Sequence, residues 1–369
     1  MAHIKEYRDK DGTLKSFYIR VFRGKGIKPY STTFKVDPSW SYKKAKKEAE
    51  KYATVYEEEC KRGKICDSAY TLGEYLHYVI DLKFERGAIK KRTYSRWLHD
   101  SKRIDECIGH IKLKDLKVSD LNNFYSSLSL APKSIYEIHR LISMVLTHAV
   151  KEEILLYNIA TRAEPPKLKK VEVDYYQREE VIHILECADK EDLRHKTLIY
   201  LFVYTGARRG EVAGLKWEDI DFDRGTIHIR RSILYAPEYG VFEDTPKSKK
   251  SVRRITLSED VIYLLNCLRT EAPESQYVFQ SIKGKPLHPD SISTYLTRFS
   301  KKYDLPHIHS HSFRHTMASM LYSEGVDPVS ISARLGHSRV STTADLYSHV
   351  IEGYDQKSAE ILTKVYKKD

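Results

Sequence analysis

The chain has few cysteines and no long apolar segment. Its five cysteines are odd in number and lack paired metal-site spacing, which predicts reduced thiols rather than a disulfide framework. We find no run of about 18 apolar residues and no charged start followed by an apolar stretch. We therefore expect no membrane span and no secretory signal, and a cytoplasmic protein. At 369 residues, two or three domains are expected.

Acidic residues are in deficit. The chain has 51 Asp and Glu against 63 Lys and Arg, a formal charge of +12. This excess suits a protein that follows a phosphate backbone, although ribosomal and RNA-binding proteins share it. The charge therefore predicts a nucleic-acid partner but not its kind.

A group of short motifs between residues 205 and 349 combines the side chains that breaking a DNA phosphodiester without a metal requires. In chain order, the motifs contain these residues: Arg208, His311, Arg314, His337 and Tyr347. Two guanidinium groups can bind phosphoryl oxygens through paired N–H donors, and preorganised donors typically contribute about 2.7–4 kcal/mol each. The histidines can exchange protons, and a tyrosine nucleophile gives a covalent phosphotyrosine. No metal and no cofactor is needed.

Each motif alone has a structural interpretation. Arg208 and Glu211 could form a surface ion pair, Arg314 could bridge two helices, His337 could cap a helix, and Tyr347 is one of 27 tyrosines. Their joint occurrence favours the phosphate site.

Histidines between residues 307 and 315 could instead suggest a metal site. His311 and His315 have the i, i+4 spacing of two ligands on one helix face. Neither a glutamate between them nor a nearby cysteine completes a zinc motif, so we expect no metal here.

The motifs resemble those of the tyrosine recombinase family, the phage-type integrases, including integrases of conjugative transposons and temperate phages. Arg208 with Glu211 matches the first box, His311, Arg314 and His315 match the second, and His337 followed by Tyr347 matches the third. In the family a hairpin lysine between the first two boxes protonates the leaving 5′ oxygen. Lys247 is our choice for it, and Lys249 is the runner-up.

The resemblance implies an enzyme that cleaves and rejoins duplex DNA through a 3′-phosphotyrosine, integrating and excising a mobile element. It also implies a homotetramer on two DNA sites, a nucleoid-associated location in a bacterial host, and the possible help of an excisionase or DNA-bending protein. A type IB topoisomerase and a non-catalytic DNA-binding regulator of the same fold remain alternatives.

The predicted fold is mainly α-helical with small antiparallel β-sheets, in the multidomain architecture of a tyrosine recombinase. Residues 1–66 predict an arm-type DNA-binding α+β module. Alternation predicts strands at 4–7, 16–22 and 30–36, followed by a helix capped by Ser41. An exposed sheet face would offer these residues to DNA: Tyr18, Arg20, Phe22 and Lys35. A solvated lysine-rich helix is the alternative interpretation.

Residues 70–164 predict a bundle of four or five helices that resembles the family's core-binding, SAM-like domain. The Thr71-x-x-Glu74 capping box opens it, a helix follows around 94–108, Ser119 is expected to cap another, and Pro132 precedes a long helix. The basic run at a helix start predicts these DNA contacts, with a solvated loop as the alternative: Lys90, Lys91, Arg92, Thr93 and Tyr94.

A basic, proline-containing linker leads to a mixed α/β catalytic domain, residues 172–369, with a C-terminal tail. Helices are predicted at 178–188, 193–204, 290–303, 313–324 and 328–335. Strands at 226–232 and 251–257 would flank a turn that holds Lys247. A short helix opening at Ser341 would carry Tyr347.

Overall fold

The computed structural model describes residues 2–9, 11–22, 29–61, 70–168, 175–245, 251–271 and 274–336, together with Thr363 and Tyr366. Two compact units divide the chain, Met1–Lys170 and Val171–Asp369. Within the described segments the fold is mainly α-helical with small antiparallel sheets, as predicted. Among these residues no helix combines the length and the apolar character that crossing a membrane requires. The domain boundaries at 66 and 164–172 remain predictions.

The first unit begins with a three-stranded antiparallel sheet backed by one helix. Its elements are β1 His3–Arg8, β2 Leu14–Val21, β3 Tyr30–Lys35 and α1 Tyr42–Lys61. The central strand β2 pairs with both neighbours. Phe17, Ile19 and Val21 alternate onto the buried face, where they meet alanines of α1. The predicted sheet is thus confirmed, and Ser41 Oγ lies 3.4 Å from the amide of Lys44 at the start of α1.

The rest of this unit is a helical bundle with its own hydrophobic core. Its α-helices are α2 Leu72–Glu85, α3 Lys91–Ile104, α4 Val118–Ser127 and α5 Pro132–Lys151. Thr71 and Glu74 form the predicted capping box. The cap predicted at Ser119 is wrong: the N-cap is Lys117, two residues earlier, where Asp120 accepts the backbone N–H of Lys117 at 2.9 Å.

The second unit combines seven helices with short strands in its described residues. The helices are α6 Arg178–Ala188, α7 Leu193–Thr205, α8 Arg209–Ala213, α9 Glu259–Glu271, α10 Pro289–Lys302, α11 Ser310–Ser323 and α12 Pro328–Leu335. The strands are β4 Ile220–Asp221, β5 Thr226–Ile229, β6 Ser232–Ala236, β7 Gly240–Asp244 and β8 Arg253–Thr256. α7 and α11 pack in one core, where the rings of Phe202 and Phe313 stack at 6.2 Å.

The strand region differs from its prediction in one respect. β5 pairs with β8, so the two predicted strands are partners, but a separate hairpin of β6 and β7 lies between them in the chain. Arg230 and Arg231 interrupt the strand predicted to continue to Ser232, because both guanidinium groups form ion pairs with Asp219. The chain therefore leaves the first sheet at these arginines and starts a second one.

Candidate active site and nucleic-acid interface

Arg208 lies at the turn between α7 and α8. Gly206 ends α7 with a φ of 56°, a left-handed conformation that favours glycine, and Arg208 occupies the N-cap of α8. Its backbone N–H donates to Glu211 Oε2 and its Nη1 donates to Oε1, each at 2.8 Å. The side chain of Arg208 remains 37% exposed. Glu211 therefore orients a guanidinium that an incoming anion can still reach.

Arg253 is a member of this arrangement that sequence reasoning missed. From β8, its Nη2 and Nη1 donate to the two Glu211 oxygens at 2.9 and 3.2 Å, and its Nε donates to the carbonyl of Arg334 at 2.7 Å. Burial raises the pKa of Glu211, but the hydrogen bond from Arg253 and the charges of Arg253 and Arg208 outweigh it, so this pKa is lowered. The signal in the sequence was the position of Arg253 two residues before Ile255, which places both side chains on the same, buried face of a strand.

Arg314 is buried within α11 and joins two helix ends. Its Nη1 donates to the carbonyl of Gly206 at 3.0 Å and its Nη2 donates to the carbonyl of Leu335 at 2.6 Å. These carbonyls lie at the C-terminal ends of α7 and α12, where backbone oxygens lack helical partners. The bridging of two helices that stood as the alternative interpretation of Arg314 is therefore present, and it ties Arg314 to Gly206, two residues before Arg208 in the chain.

Three histidines cluster at the start of α11. Loss of hydration lowers the pKa of His311, and the charges of Arg314, His309 and Arg208 lower it further. Burial, with contributions from His311, Arg314 and His309, lowers the pKa of His315 to about 4. His311 is exposed and can meet a ligand, whereas His315 is half-buried. The neutral imidazole is therefore favoured at both positions.

The remaining predicted catalytic residues lie outside the described residues: Lys247 with its alternative Lys249, His337 and Tyr347. Thr245 before the lysines and Ser251 after them are described. The last described residue before His337 is Gly336, which ends α12 in a left-handed conformation with a φ of 67°.

The described segments contain one group of side chains with the separations of a metal site. Ligand atoms of Glu191, Asp192 and His195 lie within 4.8 Å of one another. Glu191 already accepts hydrogen bonds from Lys302 at 2.6 Å and Tyr303 at 2.9 Å, while Asp192 caps α7 through the backbone N–H of His195. We assign these acids to holding α7 and α10 in place.

The exposed face of the N-terminal sheet presents the residues predicted for DNA binding in this module. Tyr18 and Arg20 point away from α1 on β2, with the guanidinium 4.8 Å from the tyrosine ring, and Lys35 lies on the adjacent strand. Phe22 follows β2 and is exposed. Strand pairing places four further residues on this exposed face that were not predicted from the sequence: His3, Lys5, Tyr7 and Thr33.

The basic run at 90–94 forms the start of α3. Lys90 occupies the N-cap position, and Lys91 and Arg92 are exposed. Tyr94 has roles inside the bundle, since its hydroxyl donates to Asp81 at 2.9 Å and its ring stacks on Phe84 at 4.2 Å.

A polar groove of about 500 Å³ along α5 was not anticipated. Its lining carries several cationic or titratable side chains, among them Lys83, Arg140, Lys151, His139 and His148. The apolar period of α5 predicted only its buried face. The polar side chains of the opposite face have no regular spacing, so the sequence did not indicate a groove there.

Known proteins share sequence and fold with this chain. Residues 175–353 match the model of the phage integrase family. The ICEBs1 integrase of Bacillus subtilis is 29% identical over 69% of this chain and 71% of its own length. A XerC-like tyrosine recombinase of Caldanaerobacter subterraneus is 26% identical over 88% of this chain and 91% of its own. In fold, the chain resembles the Tn1549 transposon integrase solved with transposon right-end DNA, with a TM-score of 0.68, 20% identity, and coverage of 79% and 99%. Residues 175–353 therefore form a domain of the phage integrase family, and the chain resembles the tyrosine recombinases, enzymes that break and rejoin DNA.

Proposed function

We propose that Arg208, His311 and Arg314 form one phosphate-cleaving site with Lys247, His337 and Tyr347. The observation that carries the proposal is the meeting of the first three groups. Arg314 donates to the carbonyl two residues before Arg208, and the pKa of His311 is lowered first by burial and then by the charges of both arginines. Cations and a neutral imidazole thus converge where α7, α8 and α11 meet.

In the proposed reaction the hydroxyl oxygen of Tyr347 attacks the scissile phosphorus. The two arginines balance the charge that develops on the non-bridging oxygens. A bond forms between phosphorus and the tyrosine oxygen while the neutral imidazole of His311 accepts the hydroxyl proton, the bond to the 5′ oxygen breaks, and Lys247 supplies a proton to that oxygen. The reverse attack by a 5′-hydroxyl reseals the strand, so no ATP, metal or cofactor enters the reaction.

DNA would be held by basic surfaces of the first unit. The exposed sheet face with Tyr18, Arg20, Phe22 and Lys35, the run 90–94 and the α5 groove all carry cations suited to phosphate contacts. The α5 groove is the addition that structure makes to the residues named from sequence.

The relatives support a biological role in moving a genetic element. The ICEBs1 protein is named an integrase, and further relatives are named transposases of Tn916 and Tn1545. We place the chain in the same class, acting on chromosomal DNA in the bacterial cytoplasm at the nucleoid, as a homotetramer bridging two sites, with an excisionase or DNA-bending protein setting direction.

A nicked substrate that traps the covalent complex tests the mechanism. The wild-type protein should become linked to the cut strand, Tyr347→Phe should not, and Tyr354→Phe is the matched control that should. A complex undiminished in Tyr347→Phe would remove that residue as the nucleophile. Transfer of the cut strand to a second duplex, rather than resealing of the same one, separates a recombinase from a topoisomerase.

A further inference from the structure

The helix that carries His311 and Arg314 is capped by a histidine. α11 begins at Ser310, and His309 precedes it with extended backbone angles, φ −137° and ψ 155°. Its Nδ1 accepts the backbone N–H of Ser312 at 3.1 Å. The Ser312 hydroxyl also lies 3.1 Å from Nδ1 and 3.0 Å from Nε2. The imidazole thus takes the position that an Asp, Asn, Ser or Thr oxygen usually fills.

This cap controls the placement of the catalytic groups on α11. His311 is the second residue of the helix and Arg314 the fifth, so both belong to the turns that the cap fixes. Backbone N–H groups of a first turn have no partner inside the helix. When the cap is lost the first turn frays, and His311 moves relative to Arg208, which belongs to a different helix.

A capping nitrogen accepts a hydrogen bond only while its lone pair is free. We propose that His309 is a positioning residue of the cleavage reaction, and that its neutral imidazole is required to hold the start of α11 in the active arrangement. Protonation converts Nδ1 into a donor, which cannot cap the Ser312 amide. Histidine is the side chain that ordinarily exchanges a proton between about pH 5 and 8, so acidification can remove the cap. The inference rests on the proposed cleavage by Tyr347.

Other titratable groups face His309, and they predict the opposite pH response. The ring of His307 lies 5.9 Å away. The charge of His309 is among those that lower the pKa of His311 and of His315, together with that of Arg314. If charge alone mattered, removing His309 would make His311 easier to protonate and would weaken the enzyme in acid. If the cap matters, replacing His309 by a residue that caps the helix at every pH should raise activity in acid.

The test compares single-turnover cleavage of the nicked substrate from pH 5.5 to 8.5 in the full-length protein. His309→Asn provides a cap that does not titrate, His309→Ala provides none, and His307→Asn is the matched control. At pH 8 we expect the Asn variant to equal wild type and the Ala variant to be about fivefold slower. At pH 5.5 the Asn variant should be about fivefold faster than wild type, and wild type should approach the Ala variant.

A second measurement does not depend on cleavage. Hydrogen exchange at the Ser312 amide should quicken on acidification in wild type and in His307→Asn, after correction for the intrinsic pH dependence, but not in His309→Asn. The proposal is overturned if the ratio of the cleavage rate of His309→Asn to that of wild type stays constant or falls as the pH is lowered. It is also overturned if the Ser312 amide exchanges equally in all variants. Absence of a covalent complex in wild type at pH 8 would instead refute the proposed function, and the exchange result would still stand.

Discussion

The buried pair of Arg253 and Glu211 yields the strongest stability prediction. Both side chains are nearly excluded from water, 5% and 6% exposed, and two Arg253 nitrogens contact the two carboxylate oxygens at 2.9 and 3.2 Å. Removing one partner of such a pair leaves a buried charge and typically costs about 3–5 kcal/mol. We expect Arg253→Ala to lower the free energy of unfolding of the second unit by about that amount: Glu211 keeps only its contact with the partly exposed Arg208, and the bond to the Arg334 carbonyl is lost as well.

Urea unfolding followed by tryptophan fluorescence can measure this loss in the second unit alone. Of the three tryptophans, Trp217 is the buried one in this unit, so Trp40→Phe and Trp97→Phe leave it as the sole probe. Arg224→Ala is the matched control, since Arg224 is 77% exposed and 3.9 Å from its acid; it should cost less than about 0.5 kcal/mol. Equal costs for the two variants would refute the reasoning.

The same pair predicts a pH dependence. The pKa of Glu211 is lowered from its ordinary 4.5, because burial is outweighed by the hydrogen bond and charge of Arg253 and by the charge of Arg208. A lowered folded-state pKa contributes stability above the unfolded value and loses it as pH falls through the folded one. The difference in unfolding free energy between wild type and Arg253→Ala should therefore be constant near neutrality and shrink below about pH 4.5.

Two further predictions concern the turn at Gly206 and the basic run of α3. Gly206→Ala should destabilise the second unit by about 1 kcal/mol more than Gly225→Ala: both have left-handed backbone, but only at Gly206 would the new Cβ approach Met317 Cε, at 2.5 Å. It should also slow cleavage, and identical unfolding curves for the two variants would contradict the clash. Replacing Lys91 and Arg92 by alanine should reduce the logarithmic salt slope of DNA binding by about 2 without changing site preference; an unchanged slope would remove both as phosphate contacts.

Local signals explain which parts of this fold follow from sequence. The helix predicted at 178–188 has those bounds in the structure, and so does the helix at 328–335, which Pro328 begins and Gly336 ends. Thr71 and Glu74 likewise form a box whose members are three residues apart. Caps and apolar periods involve neighbours in the chain, so the sequence itself displays them.

The missed features depend on partners that are distant in the chain. Arg253 contacts Glu211, which lies 42 positions away in the chain. In the sequence, an arginine that will be buried beside a distant acid looks the same as an exposed arginine. The chain leaves the first sheet at Arg230 and Arg231, which pair with Asp219, and the alternation of residues does not encode these ion pairs. Sequence order predicts the catalytic residues, whereas the groups that orient Arg208 and Arg314 became apparent only from three-dimensional contacts.

Those contacts explain how one site can hold two arginines and still keep a histidine neutral. Arg314 donates hydrogen bonds to two backbone carbonyls, which do not neutralise its charge. One carboxylate, that of Glu211, is shared between Arg208 and Arg253. Burial lowers the pKa of His311, and the positive charge that remains in excess around it lowers that pKa further. A bound phosphodiester would supply the missing negative charge and favour protonation of the same ring. His311 is then suited to accept a proton as the phosphate arrives and to donate hydrogen bonds to it afterwards.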